Sequence, residues 1–138
     1  MENLITGEKL EELRTFFAQD RFATENGAVI EEAGERYAKC SVMLSDRHKN
    51  ARGGIMGGVH FMLADFTFAV ATNCMGQSVV SLSSNITYTG KVKGNKLIGT
   101  AHCIKDGRST NFYEVTIEDE LGNQAAVVTI TGFHVGVK

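Results

Sequence analysis

At 138 residues, with 43% hydrophobic and 22% charged side chains, the chain has the composition of one compact soluble domain, 1–138, able to bury a sizeable core. Its net charge of −2 and the lack of aromatic residues interleaved with basic ones exclude a nucleic-acid binder. The longest apolar stretch contains Asp65 and Asn73, which argues against a membrane span. The N-terminus lacks the basic start and apolar run of a secretory signal, so the expected compartment is the cytoplasm.

Residues 6–19 place Leu10, Leu13, Phe16 and Phe17 on one helical face, with acids near the start, and predict a short amphipathic helix. Residues 28–30 and 37–44 read as a hairpin around Glu35. A glycine-rich loop from Asn50 then opens into an apolar helix over about 58–75. Residues 78–89, 96–105, 109–118 and 124–135 follow, rich in β-branched side chains and separated by the turn signals G-K-V-K-G-N, K-D-G and E-L-G-N. A central helix followed by four sequential strands reads as a long helix wrapped by an antiparallel sheet, an α+β arrangement distinct from βαβ alternation. An almost all-round apolar helix needs cover on every side, which predicts a second copy of the chain.

Cys40, Cys74 and Cys103 are widely spaced with no C-x-x-C pair and read as small buried hydrophobes. His48, His60, His102 and His134 show no ligand spacing, so no metal is expected. Residues 1–35 carry −6 and residues 36–138 carry +4. Lys91, Lys93, Lys96, Lys105 and Arg108 in the basic part suit either a phosphate-bearing ligand or the solvated edge of a sheet.

Asp65 is the single acid inside the apolar helix, beside Phe61, Met62, Phe68 and Ala69. A carboxylate held against an apolar wall has its pKa raised by desolvation, and such groups are enriched at functional sites. The alternative is a partly exposed Asp at a helix seam, or one satisfied by backbone donors. Gly53, Gly54, Gly57 and Gly58 precede the helix, where first-turn amides lack partners. They suit either a cradle for a phosphate or developing oxyanion, or a tight turn. Asp65 lies about 12 Å along the helix from that loop, too far to share an atom with it directly. A loop amide of another subunit is a candidate partner for it.

Asn50, Gly53-Gly54, Gly57-Gly58, Phe61 and the run Leu63-Ala64-Asp65 resemble the signature of the PaaI-type hotdog-fold acyl-CoA thioesterases, N-x-x-G-x-x-H-G-G-x-x-F-x-L-A-D. Asp20 with Phe22 and Gly27, Ser83-Ser84, Gly107-Arg108-Ser109, and Asp119 with Gly122 extend the likeness over most of the chain after about residue 20. One position departs: Met56 stands where the family usually has His, and a thioether neither donates a strong hydrogen bond nor carries charge. His60, one turn on, reads as a packed or solvated helix histidine.

The resemblance implies a hotdog fold and sites shared by two chains, in a dimer or a dimer of dimers, often a homotetramer. It implies hydrolysis of an acyl-CoA thioester with no cofactor beyond the coenzyme A of the substrate. Asp65 would act as general base on water or as nucleophile, the Gly57 amide as oxyanion donor, and Asn50 and Ser83 as positioning groups. Ser83 and Ser84 point to opposite faces of a strand, and Ser83 is the one expected to face the site. Met56, Gly58, Lys91, Arg108 and Ser109 are the candidate substrate and coenzyme A contacts, and Phe61, Met62, Phe66 or Phe68 would line the acyl pocket. The loss of the histidine makes a non-catalytic acyl-CoA binder the alternative. A hotdog dehydratase or hydratase is the third reading, for which no histidine occupies the matching loop position.

Overall fold

The computed structural model describes residues 3–136; residues 1–2 and 137–138 of the expected domain lie outside the described residues. Helix α1 (Gly7–Phe17) forms as its apolar spacing predicts, turning Leu10, Leu13 and Phe17 toward the core. A second helix, α2 (Arg21–Glu25), is absent from the sequence reading because five residues are too few to show a helical period. Strands β1 (Ala28–Gly34) and β2 (Tyr37–Met43) form the expected hairpin, turning at Arg36 with φ 58.

The long helix α3 (Gly57–Asn73) is followed by β3 (Val79–Tyr88), β4 (Lys96–Asp106), β5 (Thr110–Asp119) and β6 (Gln124–His134). The six strands form one sheet in the order β1-β2-β4-β5-β6-β3, antiparallel at every pairing. The expected helix wrapped by an antiparallel sheet is therefore observed, with boundaries within two residues of those read from the sequence except for β1, which runs four residues past the expected end at residue 30, to Gly34.

Helix α3 packs chiefly over β2 and β4. Leu63, Val70 and Ala71 are fully enclosed, against a sheet that contributes Val42, Leu97, Val115, Ile117 and Val128. Full burial of one such Val, Leu or Ile contributes about 1.5–3 kcal/mol, which makes this layer the main source of stability. Two threonines inside the helix are satisfied locally, Thr67 donating to the Leu63 carbonyl (2.6 Å) and Thr72 to that of Phe68 (2.8 Å). Asn73 ends the helix and fastens it to the next strand: its Oδ1 accepts from the Val79 amide and its Nδ2 donates to the Val79 carbonyl.

Strand β3 closes one end of the sheet. Nearly every residue of β3 is exposed, including Val80 (50%), Leu82 (59%) and Tyr88 (52%), and only β6 pairs with it. As an edge strand, β3 has one row of backbone N–H and C=O groups with no strand partner.

Candidate functional site

Two concave places lie on either side of α3's first turns. The first is an open cleft of about 510 Å³ lined by Asp20, Phe22, Phe61, Met62, Asp65 and Phe66 together with Gly58. Helix α2 and its N-cap bring Phe22 and Asp20 there, so the element missed in the sequence forms one wall. Asp65 stands in this cleft and is exposed in the single protomer, rather than enclosed as its helical neighbours suggest. Its carboxyl pKa is nevertheless raised, first by the apolar walls that displace water and then by the like charge of Asp20.

Phe61, Met62 and Phe66 line the cleft as expected, but Phe68 does not. Its ring is buried edge-on against Tyr113 at 5.4 Å, on the face of α3 that meets the sheet. Sequence spacing places Phe68 beside Asp65; only the packing of α3 decides that the two side chains diverge.

The second place, a cavity of about 320 Å³, is lined by Gly54, Ile55, Gly57, His60, Tyr88, Gly90, Lys91 and Val92. The loop that shapes it is organised by Asn50. Its Oδ1 accepts from the amides of Arg52 (2.9 Å) and Gly54 (3.1 Å), while its own amide donates to the Gly54 carbonyl (2.7 Å). The turn needs glycine at 53, where φ is +88. Asn50 thus acts in this protomer as the staple of the glycine loop, with its acceptor committed to loop amides. His48 anchors the preceding turn: its Nδ1 accepts from the Ser45 amide, which leaves Nε2–H to donate to the Asn26 carbonyl at 2.7 Å.

Met56 is the N-cap of α3 and is half exposed, and its terminal methyl folds back over Gly58. The Gly57 and Gly58 amides open the helix, where first-turn N–H groups have no intrahelical acceptor and the dipole favours negative charge. Gly57 and Asp65 are eight positions apart on α3, about 12 Å by helical rise, so one protomer does not bring them onto one atom.

The register of β3 sets which way Ser83 points in the single protomer. Ser83 pairs with Thr131, whereas Ser84, Ile86 and Tyr88 pair with Ile130, Val128 and Ala126, which are buried under α3. Paired residues share a face, so Ser84 lies on the helix side and Ser83 on the opposite side. The cause is a bulge between Ser81 and Ser83 that inserts one residue and inverts the alternation of the strand. Ser81, opposite Gly132, is the serine on the helix side before the bulge.

Lys91 borders the glycine-loop cavity. Arg108 and Ser109 lie in the β4–β5 turn, where the Ser109 carbonyl accepts from the His134 amide beside the start of β3. That is the far end of β3 from Tyr88 and the glycine loop. Lys96 is ion-paired with Glu31 at 3.3 Å. Among the described residues no group of three or more His, Cys, Asp or Glu side chains is placed to hold a metal ion, and no helix is long and apolar enough to cross a membrane.

The family model of the thioesterase superfamily matches residues 52–126, which hold the loop glycines 53, 54, 57 and 58, Asp65 and strands β3 to β5. The chain belongs to the thioesterase superfamily. It is a thioester hydrolase of the PaaI-type hotdog group. A relative from Archaeoglobus fulgidus, named "Putative esterase", is 31% identical over 109 residues, covering 78% of this chain and 71% of that protein. Mouse acyl-coenzyme A thioesterase 13 is 31% identical over 84 residues, which span 59% of this chain and 60% of the mouse protein. Among solved structures, a mutant of the phenylacetic acid degradation protein PaaI from Thermus thermophilus superposes with a TM-score of 0.77 at 26% identity, covering 83% of this chain and 98% of that one. A Streptococcus mutans protein bound to acetyl CoA superposes with a TM-score of 0.74 at 26% identity, over 81% of this thioesterase and 91% of that chain.

Proposed function

We propose that this thioesterase hydrolyses an acyl-CoA thioester to the free acid and coenzyme A, in a site assembled from two copies of the chain. The observation that carries this reading is the placement on one helix of an acid in an apolar cleft and an amide-bearing glycine start that one protomer keeps apart. Two copies paired antiparallel through their bare β3 edges would bring the Arg108–Ser109 turn of one to the glycine loop and Lys91 of the other, because these features lie at opposite ends of β3. Basic side chains there suit the phosphates of coenzyme A. The names of the acyl-coenzyme A thioesterase relative and of the acetyl CoA complex support this substrate class.

In this assembly the Gly57 amide donates to the thioester oxygen as negative charge develops on it. Asp65 of the other copy takes a proton from the water that attacks the carbonyl, and the C–S bond breaks as that proton passes to the coenzyme A thiolate. Alternatively the carboxylate itself attacks, expels the thiolate and forms an acyl anhydride that water then cleaves. Phe61, Met62 and Phe66 receive the acyl group, and the exposed Phe22 stands at the mouth of their cleft. The compartment in this reading is the cytoplasm, where thiols such as Cys40, Cys74 and Cys103 stay reduced. The test is thiol release from a panel of aliphatic and aromatic acyl-CoAs, with Asp65→Asn alongside. Release from at least one ester, lost in the variant, supports the proposal; equal traces of release from both chains would sink it.

The raised pKa of Asp65 sets a pH expectation. The carboxyl works ionised, so the acid limb of kcat/KM lies above the ordinary aspartate value of about 3.9. Removing the neighbouring charge with Asp20→Asn moves that limb to lower pH, and a kcat/KM profile of the two proteins between pH 4 and 8 checks the direction.

A second reading, binding without turnover, is favoured by Met56, which offers the loop no donor. Met56→His raises kcat under the hydrolytic proposal, measured on the best ester of the panel. A wild type that binds acyl-CoA tightly, with turnover undetectable in both proteins, favours the binding role.

A further inference from the structure

Tyr88 is the last residue of β3, and the register turns it to the helix side of the sheet. Its hydroxyl donates to the Gly57 carbonyl at 2.9 Å, across 31 residues of sequence. A Cβ placed on Gly57 would stand 2.6 Å from that oxygen and 2.9 Å from the ring carbon bearing it, so Tyr88 in this position packs directly over a residue with no side chain. The edge of one ring meets the face of the other where Tyr88 adjoins His60, with centroids 5.3 Å apart and planes at 85°. His60 is buried, and its Nδ1 lies 3.3 Å from the Met56 carbonyl. A carbonyl only accepts, so that nitrogen carries the proton. Burial lowers the pKa of His60, which favours the neutral ring with its proton at this position.

Two consecutive carbonyls at the start of α3 are therefore each held by a side chain. A trans peptide is a rigid plane in which the carbonyl and the following N–H point in opposite directions. Holding the Met56 carbonyl fixes where the Gly57 N–H points, and holding the Gly57 carbonyl fixes the Gly58 N–H. We propose that Tyr88 and His60 form a clamp that aims the Gly57 and Gly58 amides at the oxygen of the bound thioester. The clamp rests on the hydrolytic reading above and adds two positioning residues to it. It also supplies a means of orienting the amide pair in a chain whose residue 56 has no hydrogen-bonding side chain. The clamp acts on charge that develops during reaction, so it affects the chemical step more than substrate binding.

The test is steady-state hydrolysis of the best acyl-CoA of the panel by Tyr88→Phe, His60→Leu and His60→Asn. Tyr37→Phe, which removes a hydroxyl bonded to Glu32 far from the loop, is the control. Tyr88→Phe and His60→Leu should lower kcat roughly 10- to 100-fold with KM within about twofold. His60→Asn, whose amide can reach the same carbonyl, should recover most of the loss, and Tyr37→Phe should match wild type. Hydrogen exchange of peptides spanning residues 50–62 gives a readout independent of turnover, and the first-turn amides should exchange faster in Tyr88→Phe while Tm holds. Wild-type kcat in Tyr88→Phe, or a loss confined to KM, overturns the proposal, as does exchange unchanged at residues 56–60. If wild type and Asp65→Asn alike release no thiol from the panel, the hydrolytic reading fails and the clamp loses its catalytic task. That failure is recognisable because it precedes any change at Tyr88 or His60.

Discussion

Replacing Asp65 by Asn is expected to lower kcat on any acyl-CoA substrate by about 10²–10⁴-fold, the range for loss of a positioned base. The side chain keeps its volume and its place in the cleft beside Phe61, Met62 and Phe66, so stability and ester affinity should stay near wild type. The change removes only the capacity to take a proton or attack a carbonyl. Thiol release measured at saturating ester gives kcat, and equilibrium binding of a non-hydrolysable thioether analogue reports affinity. Because Asp65 is open to solvent in the single protomer, no buried partner is left unpaired by the substitution. A large fall in kcat with the melting temperature unchanged therefore separates chemistry from folding.

The largest expected effect on stability lies elsewhere, at Asp119. This buried carboxylate accepts from the amides of Lys93 (2.9 Å), Gly94 (3.0 Å), Leu121 (3.0 Å) and Asn123 (2.9 Å), and from the Asn123 side chain. It joins the β3–β4 connection to the β5–β6 hairpin. Burial by itself raises its pKa, but the converging donors outweigh that and hold it well below the ordinary range. Asp119→Ala removes the shared acceptor of four part-buried amides and should cost about 3 kcal/mol or more, since bonds to charged groups are worth roughly 1.5–3 kcal/mol each and do not add fully. The melting temperature should fall by roughly 10 °C. Asp119→Asn, which keeps one acceptor oxygen, should fall by less.

The pH dependence follows from the direction of that shift. A carboxyl with a depressed folded pKa contributes stability that is fully present above its unfolded value of about 3.9 and is lost as pH falls through the folded value. Wild type should therefore lose stability below about pH 4, and Asp119→Ala should lose less over the same interval. Denaturant midpoints at pH 7, 4 and 3 measure the difference.

Both expectations bear on how much is legible in the chain alone. The long helix, the hairpin and the four later strands announce themselves by period and turn chemistry, and their limits fall within two residues of those expected except at the end of β1, which continues four residues further to Gly34. The glycine loop and its single helical acid stand out because a charge inside an apolar run is costly and rare. Helix α2 gives no such signal at five residues, although it and its N-cap supply Phe22 and Asp20 to the cleft. Asp119 resembles a turn residue, and two of its four amide donors lie about 25 residues away, a distance that no local pattern reports. Asn50 has the residue type to position water or a carboxylate, while its side-chain oxygen is bound to loop amides.

The family of structure and the kind of chemistry are therefore written in the chain. Apolar periodicity dictates what must be buried, and residue type dictates which groups can carry a proton or cradle an anion. Directions and partners come from packing in three dimensions. One bulged residue turns Ser83 to the far side of the sheet, the packing of α3 sends Phe68 into the core, and the return of β3 places Tyr88 on the carbonyl of Gly57. Side-chain direction along a strand depends on every residue before it in the ladder, and contact across 31 positions depends on the whole fold, so neither is encoded in any local stretch.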